Sequence, residues 1–234
     1  VPSLRLLLVD SGVGGLSVLK ELSKALPQAE IIYLADTAAF PHSDQNEAAL
    51  VDRLKALISG VVETGHPDMV VVTGSTASCL ALEDLQDHFS FPLIGCCPAL
   101  ERGVEMTGRA CVGLLETELT LGLRGCRKWV DRAAASCKVV RVGTSRLAAL
   151  AERRFRGLPI DQAILAQETG ACFLMRKRRP PIRWFWALHI TGFFSRNCAV
   201  WGLQEPCGSS RAWKWLNVFL TRQARLRCRQ ADGH

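Results

Sequence analysis

Short apolar runs that each end in a small polar cluster alternate with helically spaced stretches, and few architectures accept that alternation. The run Leu4–Val9, LRLLLV, reads as a strand buried on both faces, as in parallel sheets. It closes on Asp10-Ser11-Gly12-Val13-Gly14-Gly15, and SVLKELSKAL then keeps helical spacing up to Pro27. Ile31–Ala35 gives a second strand ending in Asp36-Thr37. Asn46–Gly60 gives a helix whose apolar stripe is Ala48, Leu50, Leu54 and Leu57. Met69–Thr73 is a third strand, followed by Gly74-Ser75-Thr76 and a helix from about Ala77; Phe91–Gly95 is a fourth. The pattern predicts an α/β fold with a parallel sheet, which takes ligands at the carboxyl ends of its strands. Asp10-Ser11, Asp36-Thr37 and Ser75-Thr76 all stand at such ends.

A second unit follows Cys97-Pro98. Ala99–Met106 reads as helix, Ala110–Leu115 as a strand ending in Glu116-Thr117-Glu118, and Leu119–Val130 as helix. Lys138–Val142 reads as a strand, and Ser145–Arg156 and Pro159–Thr169 as helices. The expected organisation is a first α/β domain at 1–97, a truncated second at 98–173 and a tail at 174–234. The tail differs in composition: 12 Lys and Arg stand there against Glu205 and Asp232, with five of the six tryptophans.

Several ordered segments resemble the glutamate racemases of the aspartate/glutamate racemase family. VDSGVGGLSVLKEL resembles the family's first strand, loop and helix, and YLADTAAFPH its Y-x-A-D-T-x-x-x-P-Y-G segment. VVVTGSTAS stands where the family has A-C-N-T-A-S; FPLIGCCPAL and VGLLETELTL resemble its P-[VI]-I-G-[VI]-x-P-A and V-G-[VI]-[IL]-G-T-x-x-T stretches. The resemblance implies two pseudo-symmetric parallel-sheet domains with the substrate between them. It further implies cofactor-independent exchange of L- and D-glutamate for peptidoglycan synthesis and cell shape. Such a reaction needs a base on one face of Cα and an acid on the other, and two cysteines suit both roles.

Carried over position by position, the resemblance implies substrate contacts from Asp10, Ser11, Pro41, Ser75, Thr76 and Thr117, with His42 and Ser43 where the family has Tyr-Gly. Glu116 replaces the glycine before Thr117, and an acidic group there would repel a dicarboxylate unless it turns away. Gly74 occupies the position of the first catalytic cysteine, and Ser75 that of the neighbouring asparagine. Cys79, Cys96 and Cys97 are expected in the core or behind the site. No catalytic residue of the two-thiol pair is therefore expected to be intact.

The family's second thiol belongs to a D-T-x-V-L-G-C-T-H-[FY]-P strand and turn that is absent from 174–234. Written as codons with G as the third base of Pro181 and T as that of Phe185, Pro181–Gly192 read one base earlier gives Asp-Thr-Val-Val-Leu-Gly, two small residues, His or Tyr, then Tyr, His or Asn. A one-base frameshift near Phe173–Arg179 is the expectation, leaving an irregular C-terminal part without its last strands. In that frame the thiol's codon has C or T in the middle, set by Leu188, and cannot encode cysteine. The rival reading of the tail is a basic nucleic-acid surface built on Arg211, Trp213, Lys214 and Trp215; it is the weaker one.

The expected location is the cytoplasm, with no membrane partner, since no apolar run approaches the ~18 residues that cross a bilayer. The ten cysteines lack zinc-type spacing, so neither metal nor cofactor is expected. The partner expected of the cleft is glutamate or a related amino acid. Exposed sheet edges would favour self-association, a homodimer being its simplest form.

Overall fold

The structure, a computed structural model, describes residues 3–96, 100, 111–176 and 183–186. Two parallel sheets organise it. The first has strand order β2-β1-β3-β4, from β1 (Arg5–Asp10), β2 (Glu30–Ala35), β3 (Met69–Val72) and β4 (Leu93–Gly95). Leu6, Leu7 and Leu8 of β1 are fully buried, because this strand lies between β2 and β3 with helices against the sheet. That is why its sequence is apolar without alternation.

Among the described residues, α1 (Gly14–Ala25), α2 (Glu47–Gly65) and α3 (Ser75–His88) accompany this sheet. Asn46 caps α2, its side chain accepting the Ala49 N–H at 3.2 Å. The buried stripe of α2 is Leu50, Leu54 and Ile58, whereas Ala48 is exposed and Leu57 only half-buried. The i, i+4, i+8 row points at the sheet, and the expected stripe drifted off it. On α3 the helix begins at Ser75, two residues before the expected start.

The second sheet has the order β6-β5-β7, from β5 (Cys111–Thr117), β6 (Lys138–Thr144) and β7 (Arg183–Trp186), all parallel. Its helices are α4 (Glu118–Gly122), α5 (Arg124–Ala134), α6 (Leu147–Phe155) and α7 (Gln162–Arg176). The single helix expected at Leu119–Val130 is divided at Leu123, which is extended and buried among Leu114, Cys126 and Val130. Close packing sets the angle of α5. A Cβ on Gly125 would overlap the backbone carbonyl of Cys79 on α3.

The expected lack of further strands meets a correction. Helix α7 runs through 173 to Arg176, and Arg183–Trp186 pairs with β5, Val112 opposite Arg183 and Leu115 opposite Trp186. An existing strand edge supplies the backbone partners, so pairing there does not require a period-two pattern in the added segment. The boundary expected at 97–98, the helix at Ala99–Met106 apart from buried Leu100, and the residues proposed for a nucleic-acid surface lie outside the described residues. No helix among the described residues is long and apolar enough to cross a membrane.

Candidate functional site

Asp10 ends β1 at the centre of the first sheet, and its carboxylate organises the loop beyond it. Oδ1 accepts the N–H groups of Ser11 at 2.7 Å and Gly12 at 3.1 Å, while Oδ2 accepts the Thr73 hydroxyl at 2.8 Å. Asp10 therefore braces its own loop rather than capping α1, whose first turn has no side-chain cap. Gly15 lies close beneath. A Cβ there would stand 2.5 Å from both the Thr73 and the Tyr33 hydroxyl oxygens and 2.7 Å from Asp10 Oδ2. Tyr33 donates to the Gly12 carbonyl at 3.0 Å; burial, then the charges of Asp10 and Glu152, push its phenol above the ordinary range.

Phe40, Pro41, His42 and Ser43 form the adjoining wall, with His42 only 4% exposed. Its Nε2 lies 3.1 Å from Asp36 Oδ2, and its backbone N–H points at Ser11 Oγ at 3.4 Å. Asp36 is held from the other side by Arg53, whose Nε and Nη2 lie 2.5–3.0 Å from its carboxylate oxygens. The Arg53 guanidinium, seconded by His42 and opposed by burial, keeps the Asp36 carboxyl below the usual range.

The opposite wall joins the two sheets. Ser75 donates to Glu116 Oε2 at 3.1 Å, an oxygen that also accepts the Thr117 N–H at 3.1 Å. Thr76 and Thr120 share a hydrogen bond of 2.8 Å, and Thr117 and Thr120 one of 2.6 Å, with Thr117 capping α4. Glu116 is fully buried, and burial pushes its carboxyl up to about 7 despite its two donors. Its Oε1 and His42 Nδ1 are the buried side-chain polar atoms without a partner among the described residues.

These walls border one cleft that opens to solvent. Asp10, Ser11, Pro41, His42, Ser43, Gly74, Ser75, Thr76 and Thr117, scattered over 108 positions of sequence, all line it. Gly74 faces into open space, since a Cβ there would find nothing nearer than Asp10 Oδ1 at 3.6 Å. Cys79 does not line the cleft; it packs with Leu100, Val112, Leu114 and Cys126. Among the described residues no cluster of three or more His, Cys, Asp or Glu could hold a metal.

No family model matches the chain. Curated relatives do. It is 35% identical over 170 residues to the glutamate racemase of Brucella anthropi, covering 72% of this chain and 61% of the relative. To that of Photorhabdus laumondii it is 34% identical over 176 residues, covering 75% and 60%. The chain thus spans about three-fifths of the length of the curated relatives it matches. In structure it resembles Escherichia coli glutamate racemase, solved with L-glutamate and the activator UDP-MurNAc-Ala, at a TM-score of 0.75 and 29% identity, over 83% of this chain and 73% of that one. The chain is a glutamate racemase homologue.

Two residues of this homologue's cleft escape a reading of the sequence. Glu152, from α6, lines the cleft and accepts the Val13 N–H at 2.6 Å across 139 positions of sequence. Phe40 stands against Gly12, where an added Cβ would lie 2.8 Å from its ring. Neither carries a local signal, because an acid on an amphipathic helix and an aromatic in a turn are ordinary surface and core features. Arg53 is a third omission, and its value is measurable. Arg53→Ala leaves Asp36 buried without its cation, so we expect a lower urea-unfolding midpoint at pH 7. The Asp36 carboxyl is depressed in the folded state, so that contribution is present above its unfolded pKa and fades as pH falls below about 4. A variant with the native midpoint at pH 7 would show that His42 alone suffices.

Proposed function

We propose that this glutamate racemase homologue keeps an amino-acid-binding cleft but lacks the two-thiol acid–base pair, so that it interconverts L- and D-glutamate slowly or not at all. The ligand class comes from the relatives: curated glutamate racemases, and a glutamate racemase solved with L-glutamate. Asp10, Ser11, Pro41, His42, Ser43, Ser75, Thr76 and Thr117 are the groups proposed to hold the amino acid; all border one cavity. The cytoplasm is the proposed location, and no cofactor is invoked.

The observation that carries the loss of chemistry is Gly74. The α-hydrogen of an amino acid is so weakly acidic that one residue must remove it while another delivers a proton to the opposite face. At Gly74, where the resemblance puts the first thiol, there is room and an extended backbone but no side chain. Cys79 is held in a packed cluster and offers no substitute. The second thiol is proposed absent because neither frame of the codons for 181–192 encodes it.

The test follows deuterium at Cα of L- and D-glutamate in D2O. We expect the native chain to stay at background. Gly74→Cys, which fits without strain beside Asp10, should give measurable exchange of one enantiomer, since it restores one base on one face. Native exchange on the order of 10 s⁻¹, an ordinary enzyme rate, would overturn the proposal and make Asp10, His42 and Cys79 the first residues to replace.

A further inference from the structure

We propose that Glu116 sets the selectivity of the cleft, so that above neutrality an amino acid with an uncharged side chain is preferred to a dicarboxylate, and the dicarboxylate binds better in mild acid. The inference rests on the reading above that the cleft takes amino acids. Its ground is the charge around the cavity. Among the described residues, the ionisable groups lining it are Asp10, Glu152 and His42, with no Lys or Arg. Glu116 stands one side chain behind the wall, with Oε2 on Ser75 and on the Thr117 N–H, both residues being part of the lining.

An ionised carboxylate in that position is shielded from water on every side, so its field reaches the cavity with little screening. Among the described residues, no partner on Oε1 neutralises it, and the groups around it add no direct counter-ion. Ser75 faces it from α3, and Cys126 feels its charge from α5 together with that of Arg141 on β6. Glu118 follows on α4 and packs on Gly143, and Asp10 lies on the far side of Gly74. Burial brings the Glu116 carboxyl to about 7, so the group is neutral in mild acid and charged in mild base. Above neutrality a second ligand carboxylate meets three protein carboxylates; below it, Glu116 withdraws from that count. A side-chain amide of the same length is indifferent to the change.

Calorimetry on the full chain at pH 6 and pH 8, with glutamate and with glutamine, tests this. Native protein is expected to bind glutamine equally at both pH values and glutamate about tenfold more weakly at pH 8, a coupling typical of interacting sites. Histidine can change charge in the same window, so the decisive comparison is Glu116→Gln, which should abolish the glutamate pH dependence. Carboxyl 13C shifts of native Glu116 give an independent measure: saturating glutamate should raise its titration midpoint and glutamine should leave it unmoved. Glutamine bound with no pH effect on glutamate, or an effect that survives in Glu116→Gln, overturns the role of Glu116 and leaves the cleft assignment standing. Failure to bind either amino acid at either pH overturns both.

Discussion

Gly125→Ala should unfold well below the native chain. The substitution adds one methyl group where α5 crosses α3, and that methyl would overlap the Cys79 carbonyl, a backbone atom that cannot swing aside. Relief requires α5 to move off α3, opening the cluster of Leu100, Val112, Leu114, Cys126 and Val130 that lies under the crossing. Overpacking of this kind costs about 3 kcal/mol. For a chain of this size that is a fall of roughly 6–12 °C in melting temperature. Alanine is also the better helix former, so an unchanged or raised melting point in a thermal scan would mean that the two helices are not in contact as described.

Glu116→Gln should act in the opposite direction, and only above mild acid. Burial raises the Glu116 carboxyl from 4.5 to about 7 in the folded chain. The folded state thus holds the proton more tightly than the unfolded one, so the native chain has its full stability below pH 4.5 and loses it progressively as pH climbs through 7. The penalty at pH 8 is on the order of 3 kcal/mol. Glutamine never ionises and escapes it, while its carbonyl can still accept from Ser75 and Thr117. Melting curves of variant and native chain should nearly coincide at pH 4.5 and separate by several degrees at pH 8. Parallel curves at all pH values would place the Glu116 carboxylate in contact with water.

What could be read in advance divides by the range of the interactions involved. The strands β1 and β3 were legible because burial on both faces forces unbroken apolar runs, and Asp10, Ser11, Ser75 and Thr76 because strand ends in a parallel sheet converge, whereas Thr117 came from the resemblance. The resemblance supplied Pro41, His42 and Ser43, whose turn has no period of its own. Features fixed by distant partners were not legible. Leu123 divides a helically spaced stretch because the second core draws it in; Ile58 rather than Leu57 meets the sheet because the angle of α2 is set by packing. The sequence placed an acid at 116 and a risk of repulsion with it, but not its burial or its bond to Ser75 across the cleft. The strand Arg183–Trp186 was missed for a related reason, since an open β5 edge, not its own composition, makes it a strand.

The bond from Val13 N–H to Glu152 changes what occupancy of this cleft means. That amide stands at the entrance to α1, where the partial positive charge of a helix start would welcome the carboxylate of an arriving amino acid. The seat is already taken by a carboxylate on a tether. A ligand reaching it would exchange one anion for another, gaining only the difference between them. It would also have to push α6 aside or leave Glu152 unpartnered in the cavity. An arriving carboxylate would therefore have to displace a bond the fold already makes.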